Sequence, residues 1–118
     1  MVKHYRELIA WQKAMSMVTY IYETTKTFPH DEKFGLVSQI RRSAVSVPSN
    51  IAEGQARNTT GEFIQFLGIA RGSTAELTTQ LLIAANLGYL NEPEETLNLV
   101  EEVGRLLSGL IKSLRTKN

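Results

Sequence analysis

Apolar residues in this chain recur at alternating three- and four-residue steps, and no segment shows the strict two-residue alternation of a half-buried strand. Such spacing lays an apolar stripe along one face of an α-helix. The stripes fall in four segments. Leu8, Trp11, Met15, Val18 and Tyr22 mark the first, over about residues 5–27, and Leu36, Ile40, Ala44, Val47 and Ile51 the second, over about residues 31–56. Phe63, Leu67, Ala70, Thr74, Leu77, Leu81 and Ala84 carry the third to about residue 87. Leu97, Val100, Gly104, Leu107, Ile111 and Leu114 carry the fourth to about residue 115.

The punctuation between stripes supports this division. Pro29 disfavours helical geometry at Phe28 and ends the first segment. Pro48 lies inside the second pattern, where it removes one backbone donor, so a continuous but kinked helix is expected. Thr59 and Glu62 have capping-box spacing, each side chain covering an orphan donor of the other residue. Gly88 supplies a C-terminal cap, and Asn91 is expected to cap the fourth helix ahead of Glu92, Glu94 and Glu95. Short connections imply antiparallel neighbours, so the expected fold is all-α, an up-down-up-down four-helix bundle.

Size is compatible with one domain spanning residues 1–118: a 13.2 kDa chain buries about two-thirds of its unfolded surface, enough for a core without staples. The absence of cysteine excludes a disulfide framework, a thiolate zinc site and a cysteine nucleophile. No stretch approaches a run of about 18 apolar residues, so no membrane span is expected. The sequence after Met1 lacks the apolar run and cleavage site of a signal peptide, which makes a cytoplasmic location the expectation. Residues 112–118 carry three cations and no anions, which suits the end of a terminal helix.

Motifs for chemistry are sparse. The two histidines, His4 and His30, lie before the first helix and in a loop, and no Glu-x-x-His pair projects into a bundle interior. No metal site, no cofactor site and no Ser/His/Asp arrangement can be assembled from them. Glu94, Glu95, Glu101 and Glu102 read as a solvated helix face. The glycines near residues 54 and 68–72 follow no strand and match no phosphate-cradling spacing. Gly68 and Gly72, four apart, read as a site of close helix approach.

The second helix is unusual. Gln39, Ser43, Ser46, Asn50, Glu53 and Arg57 form a polar stripe beside its apolar one. Most members are uncharged amides and hydroxyls, which are poor helix formers, whereas a solvated stripe would carry Lys and Glu pairs. Two readings stand: a polar surface satisfied by another subunit, or a network within the fold through Ser73, Glu76 and Gln80.

Charge is uneven as well. The net charge is +1, but residues 1–60 carry eight cations and five anions, and residues 61–118 five and seven. Between residues 41 and 71 every cation is an arginine: Arg41, Arg42, Arg57 and Arg71. The planar guanidinium suits bidentate pairing with carboxylate or phosphate. These arginines either pair with Glu53, Glu62 and Glu76 or contact a nucleic-acid backbone.

The runs Gly35-Leu36, Gln39-Ile40-Arg41-Arg42 and Ser46-Val47-Pro48-Ser49-Asn50-Ile51-Ala52-Glu53-Gly54 form an ordered pattern. Glu62-Phe63, Phe66-Leu67, Ile69-Ala70-Arg71-Gly72-Ser73 and Leu87-Gly88-Tyr89-Leu90 extend it, and Trp11-Gln12-Lys13-Ala14 begins it. Together they make the chain resemble, over nearly its whole length, the bacterial four-helix-bundle family named for proteins encoded in intervening sequences of 23S ribosomal RNA genes. The resemblance implies a ring-like homopentamer and no established activity. That family looks related to the accessory variability proteins of diversity-generating retroelements, whose basic pentamers bind nucleic acid and a reverse transcriptase. By that resemblance Arg41, Arg42, Arg57 and Arg71 would form an RNA- or DNA-binding surface on a non-enzymatic scaffold. A protein-interaction module without nucleic-acid binding is the rival expectation, and an enzyme using Glu53 as a base a more distant one.

Overall fold

The computed structural model describes residues 4–116; residues 1–3 and 117–118, which include the last cation of the basic tail, lie outside the described residues. Four α-helices account for most of the chain: α1 (Ile9–Thr25), α2 (Leu36–Gln55), α3 (Thr60–Asn86) and α4 (Pro93–Thr116). No strand occurs among the described residues. Each helix packs on two others, α1 on α2 and α4, and α3 on α2 and α4, to make a four-helix bundle about one core. The bundle measures 47 × 23 × 19 Å, its long axis set by helices of up to 27 residues.

The apolar stripes of α2, α3 and α4 meet at the core as the spacing predicts, with Ile40, Val47, Ile51, Leu77, Leu81, Val100 and Leu107 fully buried. The first stripe is displaced by one or two positions. Met15 and Tyr22 are exposed, and the buried face of α1 is Ala10, Ala14, Met17, Ile21 and Thr25. Two alanines on that face let α1 lie close to its neighbours, and their weak hydrophobicity hid the stripe from a reading weighted to large residues. Trp11, Met15 and Val18 instead flank a shallow apolar groove with Val45 and Pro48 of α2.

Two helix starts differ from expectation. Tyr5–Glu7 is a single 3₁₀ turn separated from α1 by an extended Leu8. His30–Glu32 is another, so α2 begins at Leu36 and not near Asp31. The cause is Glu32, whose carboxylate accepts the Leu36 N–H at 3.1 Å and the Tyr89 hydroxyl at 3.0 Å. This one side chain caps α2 and ties the α1–α2 connection to the α3–α4 turn. From Leu36 onward α2 runs unbroken through the buried Pro48.

The Thr59 cap forms, with its hydroxyl oxygen accepting the Glu62 N–H at 3.1 Å, but Glu62 returns its carboxylate to the Thr59 hydroxyl and not to a backbone N–H. At the other end of α3, Gly88 adopts φ +83°. Tyr89 N–H donates to the Ala84 carbonyl and Gly88 N–H to Ala85, the paired bonds of a Schellman motif. Helix α4 starts at Pro93, the favoured first position for proline, which moves the cap position to residue 92 and away from Asn91.

Close helix approach falls on a glycine other than the expected pair. A Cβ on Gly68 or Gly72 would meet nothing within 4 Å, whereas one on Gly54 would lie 2.5 Å from the Phe66 Cβ. Gly54→Ala should therefore lower stability by about 1–3 kcal/mol through overpacking. Gly72→Ala should raise it by up to about 1 kcal/mol through helix propensity. Urea midpoints at one fixed protein concentration read both.

Hydrogen bonding to Glu32, then burial, raises the Tyr89 phenol above its ordinary value of 10.0, and Glu95 acts likewise on Tyr20 through a 2.9 Å bond that joins α1 to α4. Both bonds need the protonated phenol. Their contribution is complete below 10.0 and is lost as pH rises through the elevated values. Tyr89→Phe should make the alkaline fall in urea midpoint shallower without abolishing it, since Tyr20 remains.

Candidate functional site

The polar stripe of α2 divides between three environments. Gln39, Arg42, Ser43 and Ser46 line a groove of about 370 Å³ whose opposite wall is Glu76 and Gln80 of α3. Farther along, Ser46 and Ser73 hydroxyls lie 2.9 Å apart, and Asn50 Nδ2 donates to the Ser46 carbonyl at 2.8 Å and to its hydroxyl at 3.0 Å. Glu53 stands apart: it is exposed, lines none of the grooves described here, and makes no hydrogen bond or ion pair with the described residues.

Ser43 and Ser73 are buried, and Gln80 is only 7% exposed. Gln80 Oε1 is fully enclosed and has no hydrogen-bond partner among the described residues. A buried carbonyl without a donor costs about 1–3 kcal/mol, so this atom marks where the groove is incomplete within one chain. The network reading is thus met at Ser46, Asn50 and Ser73, and unmet at Gln80.

The four arginines do not form one patch. Arg41 turns to the end of α1, where Nε donates to the Thr25 hydroxyl at 2.9 Å and Nη2 to the Tyr22 carbonyl at 3.3 Å. Its guanidinium also lies 4.5 Å from the centre of the Tyr22 ring. A cation there satisfies carbonyls that a helix C-terminus leaves unpaired. Arg57 pairs with Glu62 at 3.7 Å and lies 5.0 Å from the Phe66 ring centre. Arg71 reaches toward α4, donating to the Ser108 hydroxyl at 3.4 Å, beside a broad α3–α4 groove. Arg42 is exposed at the lip of the polar groove and has no ion pair among the described residues. Of the acids expected to pair with arginine, only Glu62 does so.

No group of three or more His, Asp or Glu side chains able to hold a metal ion occurs among the described residues. No helix of the described residues is long and apolar enough to cross a membrane.

These elements define an all-helical four-helix bundle with a polar interhelical groove. The chain belongs to the 23S rRNA-intervening sequence protein family, whose pattern matches residues 6–109. No curated protein matches it. Among solved structures it is similar to a protein of unknown function from the S23 ribosomal protein family of Bacteroides thetaiotaomicron VPI-5482. The two are 24% identical, the match covers 88% of this chain and 96% of that one, and the TM-score is 0.81. At that identity the likeness is one of fold.

Ser46→Ala should cost about 1 kcal/mol, because it strands the buried Ser73 hydroxyl and removes an acceptor from Asn50. Ser46→Ala with Ser73→Ala should cost less than the sum of the two single changes, since no hydroxyl is then left unpaired. A double-mutant cycle in urea measures the coupling.

Proposed function

We propose that this protein is a non-enzymatic scaffold, one up-down-up-down bundle domain per chain, that assembles through its α2–α3 face into a ring-like homopentamer in the cytoplasm and binds RNA or DNA. The observation that carries the assembly is the enclosed, unpartnered Gln80 Oε1 in a groove of amides and hydroxyls. A donor from a neighbouring subunit completes it. Two further features support the reading. Gly54 meets Phe66 while Ser46 meets Ser73, so residue numbers run oppositely along α2 and α3. The outer face of α3 leaves Ile69, Leu82, Ile83 and Leu87 exposed, more apolar surface than one helix of a monomer usually shows.

In a ring each cation is repeated in every subunit, so a net charge of +1 per chain is compatible with a local positive field. Nucleic-acid binding of this kind is sequence-tolerant and weakens steeply with salt. A second reading, a protein-interaction scaffold without nucleic acid and with a protein partner such as a reverse transcriptase, is favoured by the intrachain contacts of Arg41, Arg57 and Arg71.

Gln80→Met keeps the side chain's length and removes the orphaned carbonyl. The variant should fold with unchanged helicity and sediment as a smaller species than the wild type. An unchanged mass would remove Gln80 from the interface, and a wild-type chain that sediments as a monomer would remove the ring. Titration of structured RNA and duplex DNA at several salt concentrations tests the ligand. Silence toward both at micromolar protein and low salt would leave the protein-only scaffold.

A further inference from the structure

The connection between α1 and α2 carries the most exposed large apolar side chain described, Phe34, which is 89% exposed. Its ring has Lys33 Nζ at 5.4 Å from the centre. Immediately beside it lies a pocket of about 240 Å³ whose lining includes Lys26, His30, Lys33 and Arg41, with the Thr25 hydroxyl at its floor and no carboxylate among its lining residues. Nearby acids are held elsewhere or point away from it. Glu32 is bound to Leu36 N–H and Tyr89, and Glu23 meets Lys26 at 3.0 Å on the exposed outer side. Asp31 is exposed and does not line the pocket.

We infer that this end of the bundle is a docking point for single-stranded nucleic acid, with a backbone phosphate in the Lys26–Lys33–Arg41 pocket and a base stacked on Phe34. The inference rests on the nucleic-acid reading given above and names a surface for it other than the arginine set. An aromatic ring held at the edge of a cationic pocket is the combination that binds unpaired strands, because every base has a face to stack and every nucleotide a phosphate. A duplex hides its base faces and gains only the charge term. The site is held in shape. Arg41 is fixed to the end of α1, and Glu32 ties the connection to Tyr89, so Phe34 is presented by an anchored turn. A lone phenylalanine with two lysines is a weak membrane anchor, whereas a concave cationic pocket fits one phosphate group.

The test uses the full chain and a fluorescein-labelled oligouridylate of about 15 nucleotides, read by anisotropy across a salt series. Phe34→Ala should weaken binding about tenfold with an unchanged salt slope, because it removes stacking and no charge. Lys26→Gln with Lys33→Gln should flatten the slope by about 1.4, at about 0.7 per lost phosphate contact on a single strand. Duplex of the same length should bind more weakly than the single strand and be indifferent to Phe34→Ala. If the wild type binds and the variants bind equally well, this surface is wrong and the nucleic-acid reading stands. If the wild type binds neither strand form at low salt, both fall together. Loss of assembly mass in Phe34→Ala would make Phe34 a subunit contact, and Phe34-dependent binding to phosphatidylserine vesicles without oligouridylate binding would make it a membrane contact. Either result overturns the proposal.

Discussion

At Gly54 the backbone of α2 comes so near α3 that an added Cβ would fall 2.5 Å from the Cβ of Phe66 and 3.1 Å from the ring of Phe63. No other glycine in the chain sits under a neighbouring helix so tightly. The approach fixes both the separation and the register of α2 against α3, the most extensive helix pair in the bundle. From that register follow the 2.9 Å meeting of Ser46 with Ser73 and the facing of Gln39 and Ser43 across from Glu76 and Gln80. A helix pair held farther apart would admit water to Gln80. Held as it is, the pair excludes water and leaves the carbonyl without a donor.

Helix number and order were legible because three of the four stripes place large aliphatic residues at unbroken helical spacing. The first helix was less so: its inner face uses Ala10 and Ala14, while Met15 and Tyr22 advertise the wrong side. The starts of α1 and α2 were hidden for a different reason. Both depend on side chains reaching back to the backbone, His4 to the Arg6 N–H and Glu32 to the Leu36 N–H, and periodicity carries no trace of such contacts. For the candidate site, the polar stripe on α2 and its partners Ser73, Glu76 and Gln80 could be read from composition and spacing. The arginines could be found but not placed. Neighbours in sequence, Arg41 and Arg42 project about 100° apart on a helix, so one closes α1 and the other rims the groove. The pocket at Lys26, His30 and Lys33 had no sequence signal, because its members come from a helix end, a 3₁₀ turn and a loop.

The bundle's charge chemistry is therefore segregated along its surface. Cations that the sequence groups together serve separate tasks: one neutralises helix carbonyls, one stacks on an aromatic ring beside its acid, one bridges to α4 and one remains open. Membership of the 23S rRNA-intervening sequence protein family and the fold shared with the Bacteroides protein fit a chain selected for surfaces and not for a catalytic pocket.

The hydroxyls of Ser46 and Ser73 hold each other at 2.9 Å, and either can be the donor. With Ser46 donating, the Ser73 proton is free for another acceptor; with Ser73 donating, the Ser46 proton is. Two proton arrangements of nearly equal energy thus share one set of heavy-atom positions. A visitor to the groove can be answered with a donor from either side by rotating two O–H bonds, on the timescale of hydroxyl reorientation and without moving the backbone. The rigid seam between α2 and α3 is, at the level of its protons, a degenerate one, and that degeneracy lets a fixed surface accept contacts of more than one polarity.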